Sequence, residues 1–271
     1  MTDLPIYENP LIEETEDQAQ DLQRTEEWFA DRLGMFTGSK FKALMTCRSK
    51  AKGKDWLTHK WLFDFGDTAL SCIAERAIER ATGQRIETPT TWEMTWGTQH
   101  EPEGTAFFEK ETGLKVEPVG FTKFLKNAGA SPDGVINSPE AGRSAFELKC
   151  PPTVKSHRNL MLSQVVEGHD YFWQIQGEMI ALDVRSCEFA TYNPLYPERA
   201  KLGRRLVLRS ETHELALKFR LIVAEMLANR IIELNFLCDD RALLQEIADS
   251  VPTDWDGLEA WYRENLKDLQ L

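Results

Sequence analysis

Long apolar runs are missing from this chain of 271 residues. None approaches the ~20 residues that a helix needs to span a bilayer, which argues against a helical membrane protein. The opening Met1-Thr2-Asp3-Leu4-Pro5 has no basic start and no apolar core of a secretory signal, so a cytoplasmic location is expected. Cysteine is sparse: five residues, at 47, 72, 150, 187 and 238, with no Cys-x-x-Cys pair. An odd, scattered set reads as reduced thiols rather than a disulfide framework, and its spacing gives little support for an iron–sulfur cluster. The histidines at 59, 100, 157, 169 and 213 show no zinc-site spacing. Excess positive charge is missing too, with 44 acidic against 32 basic residues and a net charge of −12. No internal repeat or linker divides the chain, and its length suits one domain with appendages.

The distribution of charge says more than its sum. Residues 1–27 hold nine acids and one base, Arg24; residues 239–271 hold nine acids and three bases. Between these acidic ends, residues 40–54 carry Lys40, Lys42, Arg48, Lys50, Lys52 and Lys54 and no acid. Binding a phosphate backbone needs only a local positive surface. That segment reads as a DNA-contacting loop, with a solvated lysine loop as the plain alternative.

What the chain does have is concentrated in residues 131–151, SPDGVINSPEAGRSAFELKCP. Asp133 opens a short apolar run, turn residues follow, and Phe146-Glu147-Leu148-Lys149 begins a second run. Side chains alternate along a strand, so Glu147 and Lys149 share a face while Leu148 points into a core. A hairpin brings Asp133 to the same edge. Two carboxylates and an ammonium there make a site for a hard divalent cation, with a lysine able to hold a water, which is the apparatus of metal-assisted phosphodiester hydrolysis. Taken alone, Glu-x-Lys also describes an ordinary cross-strand ion pair.

The motif resembles that of the phage λ exonuclease group of viral recombination nucleases, within the PD-(D/E)XK nucleases, and four other segments match in order. They are Trp28 with Arg32-Leu33-Gly34 and Thr37-Gly38-Ser39, then Trp96-Gly97 through Glu101, then Gln174-Ile175-Gln176, then Tyr192-Asn193-Pro194. The resemblance implies an α/β fold with a PD-(D/E)XK core, a mixed central sheet flanked by helices, here with extra C-terminal helices. It divides the chain into a flexible acidic arm (1–24), an exonuclease domain (25–236) and a helical extension (237–271) that the resemblance does not cover.

The roles implied by that resemblance are these. Asp133 and Glu147, with the Leu148 carbonyl, hold Mg²⁺ (or Mn²⁺), with two ions per site. Lys149 orients or activates the attacking water. Glu101 adds a carboxylate near the metals, and Gln174 holds a water. Arg32, Ser39 and Arg48 match positions that bind a 5′-phosphate, a task suited to guanidinium and hydroxyl groups; Arg48 aligns only after a one-residue shift. Ser39 reads equally as the N-cap of a helix, and Glu101 as a carboxylate favoured by a helix N-terminus. The implied activity is 5′→3′ digestion of one strand of linear double-stranded DNA, leaving 3′ single-stranded tails for annealing. The implied assembly is a ring-shaped homotrimer working with a single-strand annealing protein. The alternatives are an endonuclease of the same fold (restriction or spacer acquisition), a non-catalytic DNA-end-binding protein, and an interaction scaffold built on the acidic ends.

Periodicity and capping signals predict helices over 25–33, 39–45, 58–82, 101–112, 168–182 and 211–234, with one or two more after 239. Strands are predicted near 115–121, 124–130, 133–137, 144–149, 187–192 and 204–209.

Overall fold

A computed structural model describes residues 22–50, 54–87, 89–140 and 142–271. Lys52 and most of the expected acidic arm lie outside the described residues. Five strands form a mixed sheet in the order β2 (Val116–Glu117), β5 (Gly134–Ser138), β6 (Gly142–Lys149), β7 (Ser186–Tyr192) and β8 (Leu202–Leu208). β5 and β6 are an antiparallel hairpin, β6 and β7 run parallel, and β7 and β8 are antiparallel. A second, three-stranded sheet joins β1 (Phe36–Thr37), β4 (Ala128–Ala130) and β3 (Thr122–Leu125).

Alternation along β6 sorts its residues between two cores. Phe146 and Leu148 pack with Phe108 of helix α5 (Trp92–Thr112) on one face. Ala145 faces the larger core, which contains α2 (Gly38–Leu44), α4 (Asp67–Thr82), α7 (Phe172–Ala181) and α8 (Glu211–Glu233). Glu147 and Lys149 share Ala145's face, so they meet α7. Two close approaches set these layers. Gly104 lets α5 rest on β6 and β7, where a methyl group would come within 2.9 Å of Leu148 and 3.1 Å of Tyr192. Gly177 of α7 leaves room for the Phe41 ring of α2.

Most expected elements form, including α1 (Glu26–Arg32), closed by Leu33 and a left-handed Gly34 (φ 70°). Four expectations need correction. The strand expected near 124–130 is two, β3 and β4, paired antiparallel across a turn at Lys126-Asn127. The helix expected over 58–82 is two, α3 (His59–Leu62) and α4. Between them, Gly66 N donates to Thr46 O (2.9 Å) and Asp64 accepts from Ser49 N (3.0 Å). These tertiary bonds break a segment whose apolar pattern continues through the buried Phe63 and Phe65. Helix α5 begins nine residues before Glu101, at Trp92, with Thr91 Oγ1 accepting from Met94 N. Pro102 is therefore inside the helix, and no helix-end dipole explains Glu101. Ser39 does not cap α2: Thr37 is the N-cap residue, and the Ser39 hydroxyl sits 3.4 Å from the Thr37 hydroxyl. A helix not expected, α6 (Val154–Leu162), starts at a Thr153/Ser156 capping box.

The C-terminal helices α9 (Asp240–Asp249) and α10 (Trp255–Leu269) bury Leu243, Leu244, Leu258 and Leu269 in the larger core. Trp261 of α10 meets Phe219 of α8 at 4.9 Å between ring centroids. Among the described residues, no helix is long and apolar enough to cross a membrane.

Candidate active site

The hairpin joins two carboxylates as its register requires. Asp133 immediately precedes β5, and its Oδ2 accepts from Leu148 N on β6 (2.8 Å). Glu147, fully buried, accepts on Oε1 from Gln174 Nε2 of α7 (2.6 Å) and from Lys149 Nζ. The same Gln174 nitrogen donates to Glu178 Oε1, one turn further along α7 (2.8 Å). A third carboxylate thus joins Asp133 and Glu147, one that sequence reasoning missed. Its signal was present: Glu178 follows Gln174 by four residues, the spacing that puts two helix side chains on one face.

Electrostatics mark the cluster as unsatisfied. Burial, and then the charge of Glu178, push Glu147 up to about 8. Burial and the charge of Asp133 push Glu178 up to about 7. Asp133 is raised well above the usual carboxylate range by burial and by Glu147, with Glu101 adding to it. One oxygen each of Glu147 and Glu178 is buried with no hydrogen-bond partner, a costly state unless something positive lies against it. For Lys149, burial works against the charged form, but Glu147 and Asp133 outweigh it and hold the proton on. Its side chain remains 24% exposed, and the Tyr171 ring lies 5.0 Å from the ammonium, a cation–π distance. Glu101 is partly exposed and pairs with Arg24 at 2.8 Å. Gln176, on the other side of α7, bonds to Leu208 O and Ser210 N and so braces the β8–α8 turn instead of the site.

Beside the carboxylates lies a basic cavity of about 550 Å³. Arg32 of α1 and Ser39 of α2 line it, as expected, joined by Lys40, Arg76 of α4 and Arg85. Arg32 stacks on Trp28 (3.7 Å to the ring centroid) and donates to Ser131 Oγ (3.1 Å), which also accepts from the Trp28 indole (3.0 Å). Because Ser131 is two residues before Asp133, the cavity and the carboxylates share one strand entry. Burial, then the charges of Arg76 and Arg85, pull Arg32 down to about 10. Arg48 is not brought here. It lines a separate cavity with His59, Lys60 and Asp64, so the expected grouping of Arg32, Ser39 and Arg48 is not the one the fold makes. Ser131, Arg76 and Arg85 were missed: no local pattern marks them, and only tertiary packing brings them to Arg32.

Residues 27–185 match the YqaJ-like viral recombinase domain. No curated protein sequence matches the chain. Among solved structures, the chain is similar to the alkaline exonuclease LHK-Exo of Laribacter hongkongensis. The identity is 25% and the TM-score 0.63, over 78% of this chain and 95% of that one. The same values hold for LHK-Exo in complex with dAMP. A phage-related exonuclease from Haemophilus somnus shares the fold, at 15% identity and a TM-score of 0.59, over 73% and 95% of the two chains. Together with the carboxylate–lysine hairpin, the match over more than half its length places the chain in the YqaJ-like viral recombinase family, and with it in the phage λ exonuclease group of PD-(D/E)XK nucleases.

Proposed function

We propose that the protein is a Mg²⁺-dependent 5′→3′ exonuclease that digests one strand of linear double-stranded DNA and leaves 3′ single-stranded tails for recombination. The observation that carries this reading is the joining of the Asp133–Glu147–Lys149 hairpin, through Ser131, to a pocket of guanidinium groups. Among the described residues, no three His, Cys, Asp or Glu side chains form a metal-holding group by themselves. A cation would therefore draw on Asp133, Glu147 and the Leu148 carbonyl, with water or phosphate oxygens completing its shell. The partnerless Glu147 oxygen and the mutually raised acids fit such an ion. Once bound, the ion supplies charge that lowers the pKa of water and offsets developing charge on the phosphate.

The chain's own groups do the positioning. Lys149, whose ammonium form Glu147 and Asp133 favour, orients or activates the attacking water and neutralises phosphate charge. Gln174 fixes Glu147 and Glu178 in one arrangement. Arg32 and Ser39 hold a terminal 5′-phosphate, which sets the strand and the direction. A nucleoside 5′-monophosphate is the product class, in keeping with the dAMP bound by LHK-Exo. On this reading the chain acts as a homotrimeric ring in the host cytoplasm and passes its tail to a single-strand annealing protein. The family resemblance supports both points, and native mass measurement reads the assembly.

The test is a linear duplex with a 5′-phosphate at one end only, given Mg²⁺ or EDTA, beside a closed circle. Mg²⁺-dependent loss of the phosphorylated strand alone is expected. Cutting of the circle would instead assign the endonuclease reading. End binding without hydrolysis would make the protein a binding module.

A further inference from the structure

The basic cavity holds more positive charge than one passing diester phosphate requires. Its cations come from four segments: Arg24 and Arg32 before and on α1, Lys40 on α2, Arg76 on α4 and Arg85 just beyond α4; Arg24 is engaged by Glu101. Among the described residues, Glu79 is the one carboxylate lining it, and its oxygens are already committed. Oε2 accepts from Gly34 N (3.1 Å), while Oε1 accepts from Ile86 N (2.9 Å) and Arg76 Nη2 (3.1 Å). Lys40 has Glu75 at 3.3 Å. Arg85 lies over the Phe29 ring at 4.0 Å, and its nearest acid, Glu87, is 4.0 Å away. Arg76 is only 5% exposed, and its Nε is buried without a partner.

Like charges held together in a partly buried wall repel unless an anion lies among them. Guanidinium groups suit phosphate because their paired N–H donors match its oxygens. A phosphodiester carries one negative charge. A phosphomonoester, with a second pKa of about 6, carries nearly two at neutral pH. Lys40 pairs with Glu75, and Arg76 pairs through Nη2 with Glu79 and Glu75 (3.1 and 3.4 Å), which leaves Arg32, Arg85 and the partnerless Nε edge of Arg76 to meet the ligand.

We propose that Arg76 and Arg85 join Arg32 in a three-guanidinium cradle for the dianionic phosphomonoester of a 5′ end, and that both add to the preference of Arg32 for this end over a 5′-hydroxyl. The proposal rests on the exonuclease reading above. Glu79 is a positioning residue here: by bonding Gly34, Ile86 and Arg76 it locks the end of α1, the exit of α4 and the buried arginine into one wall.

The test measures kcat/KM on two linear duplexes of the same sequence, one with 5′-phosphate ends and one with 5′-hydroxyl ends. It uses wild type, R32Q, R76Q, R76K and R85Q. The ratio between the two substrates is the readout, because it does not depend on the fraction of correctly folded enzyme. R76Q is expected to lower the ratio about tenfold or more, the size of a lost charge-assisted contact, with partial recovery in R76K. Arg85 is 44% exposed, so R85Q is tolerated by the fold. It should lower the ratio about three- to tenfold, carrying the test even if R76Q yields no soluble protein. If the ratio collapses in R32Q but stays at the wild-type value in R76Q and R85Q, the cradle is wrong while the exonuclease reading stands. If wild type itself makes no distinction between the two ends, the end-recognition reading fails with it.

Discussion

The carboxylate site and the guanidinium cavity lie side by side, yet they are built in opposite ways. The first comes from two adjacent elements, a hairpin and one helix, so three residues of one short stretch (Asp133, Glu147, Lys149) meet by strand register alone. The second is assembled from four separated segments pinned together by Glu79 and Ser131. The first concentrates buried negative charge with too few partners, and the second does the same with positive charge. Each is electrostatically incomplete in the free protein. On the proposed reading, a cation and a terminal phosphate together would complete both, and each would then add to the stability of the site that binds it.

The largest effect should come from the negative half. Lys149→Ala should cut single-turnover release of the terminal nucleotide by about 10²–10³. A loss under tenfold would mean that Lys149 is only the ion-pair partner of Glu147. Chelation with EDTA should abolish hydrolysis while leaving binding to the phosphorylated end intact. If binding vanished as well, the two halves would not be separable.

Next in size is the link between them. Ser131→Ala removes the shared acceptor of Arg32 and Trp28. It should weaken end binding about three- to tenfold, and kcat should drop along with it. An effect on KM alone would show that the cavity does not orient the strand entry carrying Asp133.

A smaller, opposite-signed effect concerns pH. Glu147 and Glu178 have folded-state values of about 8 and about 7, above their ordinary range, because burial disfavours the charged forms. Between that range and pH 8 the folded protein binds more protons than the unfolded one. Their contribution is thus present at acidic pH and is lost as pH rises through 7 to 8. Without divalent ions, the melting temperature should fall as pH rises from 6 to 9, and Glu178→Gln should flatten this decline. A decline equally steep in that variant would remove Glu178 from the account. Smallest of all, Arg48→Gln should change the preference for 5′-phosphate ends less than about twofold, since Arg48 lines another cavity.

The same contrast explains how much could be read from the residues alone. Asp133, Glu147 and Lys149 were legible because strand alternation and one turn suffice to place them. Helix α8 and the pair α9 and α10 were legible from apolar periodicity. Glu178 was within reach, one helical turn from Gln174, but reading that helix only for its Gln-x-Gln motif hid it. The break between α3 and α4 was not legible, since Phe63 and Phe65 continue the apolar pattern and bonds from distant residues, Thr46 and Ser49, end the helix. Pro102 pointed to a helix start that lies nine residues earlier. Arg76 and Arg85 could not be found at all from spacing, because their neighbours across the cavity are distant in sequence. Arg48 lines another cavity for the converse reason: a cation close to a motif in sequence need not face it in the fold.

The division of labour between the two halves is tested most directly by measuring binding and cutting separately on one duplex that carries a 5′-phosphate at a single end. Lys149→Ala and Arg32→Gln would be compared in Mg²⁺. The account predicts that Lys149→Ala still prefers the phosphorylated end and does not cut, while Arg32→Gln cuts but no longer distinguishes the ends. It would be contradicted if Lys149→Ala lost the preference or if Arg32→Gln kept it.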